Sequence, residues 1–288
     1  MVIMILPFRF VLMATLNIIK SALPESVKTY RDTAPLWTYS LDWKTSKGLQ
    51  VCFRTMINAR IEFPSNSENS FVLRDIFQAK KNIMIGNDKK VYAGKAIIDF
   101  MLYQLSQEGL INSDSCFLLY PNHNPGGVNE VLEDTVPALS YRFGSYCIKD
   151  SLVRWRTTLN KSIARTNKEH HKINFESEFN SLCLDIKRKI RDKTVIVLDD
   201  FTTTGLSFDA TKNLLEKVEV DKVVLCAVGK YTSPYATYSS HEIKKEFNPF
   251  IEVDKITSKD VIQVKKNVLV NSASQSLIFE YFQRLAKQ

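Results

Sequence analysis

The chain has 288 residues, 44% of them hydrophobic and 24% charged, enough to bury a real core and too apolar for a disordered or collagen-like chain. Its formal net charge is +8 and its isoelectric point is near 9.1, a balance that suits an anionic partner: a nucleotide, pyrophosphate, nucleic acid or an acidic protein face. A merely solubilising surface is the other reading. Five cysteines (Cys52, Cys116, Cys147, Cys183, Cys226) stand apart with no C-x-x-C pair, which argues against a zinc ribbon and for free thiols in a reducing cytoplasm.

The chain starts MVIMILPFRFVLMATLNIIK, apolar enough to suggest a signal peptide or anchor. Pro7 and Arg9 interrupt the run, no basic segment precedes it, and no small-x-small cleavage site follows. The first reading is therefore a buried or partner-binding segment. The second is a natural start at Met13, and the third a membrane anchor. No transmembrane span is expected.

Residues 25–90 are the least legible stretch; within them YSLDWKTSKGLQVCFRTMINARIEF (39–63) alternates polar and apolar positions, which predicts strands with a turn at Lys47-Gly48. The aromatics Trp37, Tyr39, Trp43 and Phe53 read as core or as a docking face. Over 91–109, Ala96, Ile97, Phe100, Met101 and Leu105 fall at helical spacing and predict an amphipathic helix ending near Gly109. SCFLLYP (115–121) reads as a short buried strand, NHNPGG (122–127) as a turn and VNEVLEDTVPALSYRF as a helix. The stretch 151–175 carries Arg154, Arg156, Lys161, Arg165, Lys168 and Lys172. FESEFNSLCLDIKRKI reads as a helix, KTVIVL as a strand ending at residue 198, 199–205 as a loop, 206–217 as a helix and 221–231 as the next strand. VIQVKKNVLV and QSLIFEYFQRLAK predict a late strand and a closing amphipathic helix. Alternating strands and helices predict an α/β protein with a Rossmann-like parallel sheet. Residues 91–231 form its core, with 1–90 and 232–288 as additions building a hood or partner face.

The stretch VIVLDDFTTTGLS carries the chemistry. A buried parallel strand that opens into a helix presents free backbone N–H groups and a positive dipole end, which suit a phosphate. Thr203, Thr204 and Ser207 add hydroxyl donors, and Gly205 permits close backbone approach. Asp199 and Asp200 repel phosphate but suit vicinal hydroxyls or a hydrated magnesium ion. Phosphate on one side and a diol on the other describe a sugar phosphate. The other reading is a strand–turn–helix with capping threonines.

This stretch resembles the signature of type I phosphoribosyltransferases: four apolar residues, two acidic ones, two variable positions, then a hydroxyl-glycine loop. The resemblance covers about 90–231 and is nearest the ComF-like branch, whose arginine-threonine segment RWRTTLNKSIAR is similar to, although a cysteine zinc ribbon often found there is missing. It implies that Asp199 and Asp200 hold the ribose of phosphoribosyl pyrophosphate (PRPP), with magnesium bound through the ribose hydroxyls or water. It implies that Thr203, Thr204, Gly205 and Ser207 hold the 5-phosphate. Asn122 and His123 fall where a pyrophosphate loop is expected, and Arg154, Arg156, Lys161 and Arg165 where cations would stabilise the leaving group. Lys230 falls where purine-salvage relatives contact the base, or is an ordinary strand-end lysine. Phe201 and Thr202 depart from the usual aliphatics, and Thr203 stands where such relatives place an Asp base.

The expectation is a cytoplasmic, magnesium-dependent phosphoribosyltransferase that transfers ribose 5-phosphate to a nitrogenous acceptor and releases pyrophosphate. A non-catalytic PRPP- or nucleotide-binding subunit is the alternative. It would work in a protein or nucleic-acid complex, such as a bacterial defence system. For either reading a homo-oligomer is an open assembly state. A hydrolase acting on PRPP or nucleotides is the third reading.

Overall fold

A computed structural model describes residues 36–60, 62–63, 71–72, 77, 93–160, 167, 173–185, 190–231 and 236–287. The expectations for the N-terminal segment, Lys161 and Arg165 lie outside these residues. The elements, in chain order, are β1 (Tyr39–Lys44), β2 (Gln50–Asn58), β3 (Glu62–Phe63), β4 (Phe71–Val72), α1 (Ala93–Gln107), β5 (Ser115–Leu119), α2 (Glu130–Ser140), β6 (Tyr146–Cys147), β7 (Leu152–Arg154), α3 (Phe175–Asn180), β8 (Leu182–Leu184), β9 (Thr194–Thr202), α4 (Leu206–Glu216), β10 (Lys222–Lys230), β11 (Thr237–Ile243), β12 (Val261–Asn267), β13 (Leu269–Val270) and α5 (Ser272–Lys287).

Seven strands form one sheet in the order β13-β1-β2-β10-β9-β5-β6. The inner run β2-β10-β9-β5-β6 is parallel, while β1 lies antiparallel on β2 and β13 antiparallel on β1. Alternation along the central strands divides the core into two layers. Ile196, Leu198, Val224 and Cys226 pack against α1, α2 and Ile278 of α5. Val195, Val197, Val223 and Leu225 pack against Phe175 and Phe179 of α3 and Phe208, Leu214 and Leu215 of α4. The result is a three-layer α/β fold. Its sheet takes β1, β2 and β13 from outside 91–231, so flanking sequence completes the central sheet.

Two expectations change. The expected loop at Asp199 and Asp200 is strand, because β10 keeps pairing with β9 up to Lys230 beside Thr202. The helix expected over FESEFNSLCLDIKRKI spans only Phe175–Asn180. Leu182–Leu184 pairs instead with β7, from Leu152 beside Leu184 to Arg154 beside Leu182. The apolar LCL run gains more as a buried strand than as a helix turn. The turn before Gly48 and the helix ending before Gly109 fall as read, with φ of +91° and +69° at those glycines. All five cysteines are free. Among the described residues no helix is long and apolar enough to cross a membrane.

Candidate functional site

From β5 the chain moves outward to β6, and from β9 it moves the other way to β10. The carboxyl ends of β5 and β9 therefore flank the point where strand order reverses, the place where open α/β sheets receive ligands. The backbone N–H of Tyr120 donates to the carbonyl of Leu198 at 2.8 Å and carries the β5–β9 pairing up to that point. Asn122 and His123 follow β5, Asp199 and Asp200 lie near the end of β9, and Thr203 to Ser207 lead from it into α4, so the fold brings these two predicted groups to one edge of the sheet.

The loop into α4 is held by its carbonyls. Lys230, 2% exposed at the end of β10, donates its ammonium to the carbonyls of Thr203 and Thr237. The N–H of Ser239 donates to the carbonyl of Thr204 at 2.7 Å. In a trans peptide the N–H points opposite to the C=O. Anchoring these two carbonyls thus aims the N–H groups of Thr204 and Gly205 away from Lys230 and Ser239. Gly205 caps α4 with φ of +83° and supplies no side-chain cap, so the first-turn N–H groups of α4 meet no competing side chain from the cap. A Cβ on Gly205 would lie 2.3 Å from the Tyr238 ring. Both the backbone angle and the space require glycine there. Burial pushes the Lys230 ammonium down to a pKa of about 8.

The two aspartates leave the strand toward opposite faces, and their carboxyls still come within hydrogen-bond reach of each other. Asp200 lies on the α2 side. Its Oδ2 accepts from Asn129 Nδ2 at 2.9 Å and its Oδ1 from the Phe201 N–H at 2.7 Å. Asn129 is also the cap of α2, accepting from the N–H groups of Val131 and Leu132. Burial pushes the Asp200 carboxyl above the usual carboxylate range; Asp199, the Phe201 N–H and the Asn129 amide pull it back. A bound cation or diol would favour its ionised form. Asp199 starts from the opposite face of the strand. Its Oδ1 accepts from the Asp200 N–H at 2.9 Å, and its charge reaches the phenol of Tyr120.

Arg154 is 2% exposed and fully engaged inside the protein. It donates to the Asn122 carbonyl at 2.5 Å, to Glu178 at 2.7 Å, to the Tyr120 hydroxyl at 3.2 Å and to the Ser181 hydroxyl. Burial works against its charge, but Tyr120 and Glu178 more than offset this and hold its pKa above the ordinary value. In this arrangement Arg154 positions the loop after β5 by gripping its backbone. Arg156 is half-exposed, stacks over Trp155 at 4.8 Å and pairs with Asp254 at 2.6 Å. Asn122 closes its own turn, through its N–H to Gly127 at 2.7 Å and its amide to the Val128 carbonyl at 2.9 Å. The His123 carbonyl accepts from the Thr158 N–H at 2.9 Å, which ties the β5 loop to the basic stretch.

No group of three or more His, Cys, Asp or Glu that could hold a metal occurs among the described residues. Asp199 and Asp200 are two carboxylates, a donor set that would suit a hydrated magnesium ion. The residues that the motif did not point to are Asn129, Tyr120 and Glu178. Asn129 had a local signal, an Asn directly before the acidic, apolar-periodic run EVLEDTV. Tyr120 and Glu178 had none, because their pairing spans 58 residues. No known family's sequence profile matches the chain, and a search of the curated proteins finds no match.

Proposed function

We propose that the chain is a magnesium-dependent phosphoribosyltransferase of type I fold. The observation that carries this reading is the Asp199-Asp200 pair running into the carbonyl-anchored Thr203–Gly205 loop, set at the switch point between β5 and β9. The loop N–H groups and the start of α4 would take the 5-phosphate, and Asp199 and Asp200 would take the ribose hydroxyls and help to hold magnesium. An acceptor nitrogen attacks C1 of the ribose. The C1–O bond breaks, its electron pair leaves with pyrophosphate, and the acceptor proton passes to solvent or to the leaving group. Arg156 is the described cation suited to meet that leaving group. Magnesium, when bound, would neutralise charge on the departing pyrophosphate. Incubation with PRPP, magnesium and a panel of nucleobases tests this: base-dependent pyrophosphate release is expected, and its absence with every base would remove the transferase reading.

A second reading, a PRPP- or nucleotide-binding subunit without turnover, draws support from Arg154. Its donors are spent on Asn122, Tyr120, Glu178 and Ser181, and Thr203 offers no side-chain base. Ligand binding without pyrophosphate release would favour it.

A further inference from the structure

A cavity of about 250 Å³ lies away from the switch point, between the turn after β1, the C-terminal half of α4 and the β11–β12 hairpin. Its lining includes Lys44, Lys47, Lys212, Lys244 and Lys266. Two of these charges are already neutralised. Lys212, 1% exposed, pairs with Asp209 at 2.7 Å, and Lys47 pairs with Glu216 at 3.7 Å. Lys44, Lys244 and Lys266 have no carboxylate within ion-pair distance among the described residues, and Glu242 is the remaining acid in the lining. Lys266 reaches over the Trp43 ring at 5.8 Å.

We propose that this cavity is a second binding site, for a small polyanion of phosphate chemistry. Lys244, in phase with Ser240 and Glu242 along the chain, and Lys266, over the Trp43 ring, set two unpaired ammonium groups against one carboxylate and give the lining a local cationic excess; ammonium groups rotate to meet phosphate oxygens as point charges. The C-terminal end of a helix repels anions, so the lysines carry the attraction. The volume suits a small molecule. Asn213, in the lining, is eight residues beyond Gly205 on α4, about 12 Å along the helix. The two sites are thus distinct, and this inference does not depend on the proposed transferase activity.

Titration calorimetry of the full chain with inorganic pyrophosphate, without magnesium, tests it. Three proteins are compared: the unaltered chain, the Lys244→Gln/Lys266→Gln variant and the Thr203→Val/Ser207→Ala loop variant. The altered lysines are exposed or half-buried, so folding is expected to survive. The expected result is a site that weakens at least tenfold in the lysine variant and persists in the loop variant. Added salt would weaken it as well. A Trp43 fluorescence change on binding, absent from Trp43→Phe, is the expected second readout. No binding to the unaltered chain, or binding lost only in the loop variant, would overturn the proposal.

Discussion

Asn129 joins the start of α2 to Asp200. Its amide donates to the carboxylate at 2.9 Å, while its own oxygen caps the helix. Replacing it by Ala removes both bonds. Loss of the cap alone costs about 1 kcal/mol. Asn129→Asp keeps the cap but sets a second carboxylate against Asp200, which repels it. Thermal melts should show Asn129→Asp more stable than Asn129→Ala at low pH, where the new pair is protonated, with the advantage shrinking as pH rises. Both should bind PRPP more weakly than the unaltered chain.

Gly205→Ala places a methyl carbon where the Tyr238 ring already lies, at a φ that L-residues reach at a cost of about 1–2 kcal/mol. The clash adds to that strain. Denaturant unfolding should show a loss beyond the strain figure alone. Adding Tyr238→Leu should recover part of the difference, since it removes the ring and leaves the strained angle.

Lys230 makes stability depend on pH in the alkaline range. Its folded pKa is about 8 and its ordinary value is 10.5, so between these the unfolded chain holds a proton that the folded chain has lost. Stability should therefore rise with pH across that window, by up to about 1.4 kcal/mol per unit from this group. Chemical denaturation from pH 8 to 10 reads the slope. Lys230→Met should flatten it and loosen the Thr203 carbonyl, weakening ligand binding at the loop.

Arg154 and Arg156 should separate cleanly. Arg154→Met leaves Glu178 charged and buried with no cation beside it, a loss of about 3–5 kcal/mol. Arg154→Lys should also destabilise, since one ammonium cannot replace a guanidinium that serves four partners. Arg156 sits at the surface, and Arg156→Gln should shift stability by no more than about 0.5 kcal/mol. If Arg156 meets the leaving group, that variant should lower kcat for pyrophosphate release while leaving PRPP affinity within a few-fold. An unchanged kcat would return Arg156 to a surface pair with Asp254.

The local parts of this architecture were legible in the sequence. The apolar run TVIVL, the glycine after the threonines and the periodic α4 read directly as strand, turn and helix. What the sequence concealed was long-range. β2 pairs with β10 from Gln50 beside Lys222 to Asn58 beside Lys230, across more than half the chain, and no local pattern announces that partner. The aspartates read as loop because charge usually marks a strand end, yet β10 continues beside them. Arg154 read as a free cation within a basic stretch. Its burial depends on Glu178 and Tyr120, which only the fold brings within reach.

Titration calorimetry with PRPP and magnesium, with Asp200→Asn beside the unaltered chain, tests the central claim most directly. The account predicts a magnesium-dependent PRPP site that is lost or strongly weakened in Asp200→Asn while the variant stays folded. Equal binding by both proteins, or none by the unaltered chain, would contradict the assignment of Asp199, Asp200 and the Thr203–Gly205 loop to a ribose phosphate.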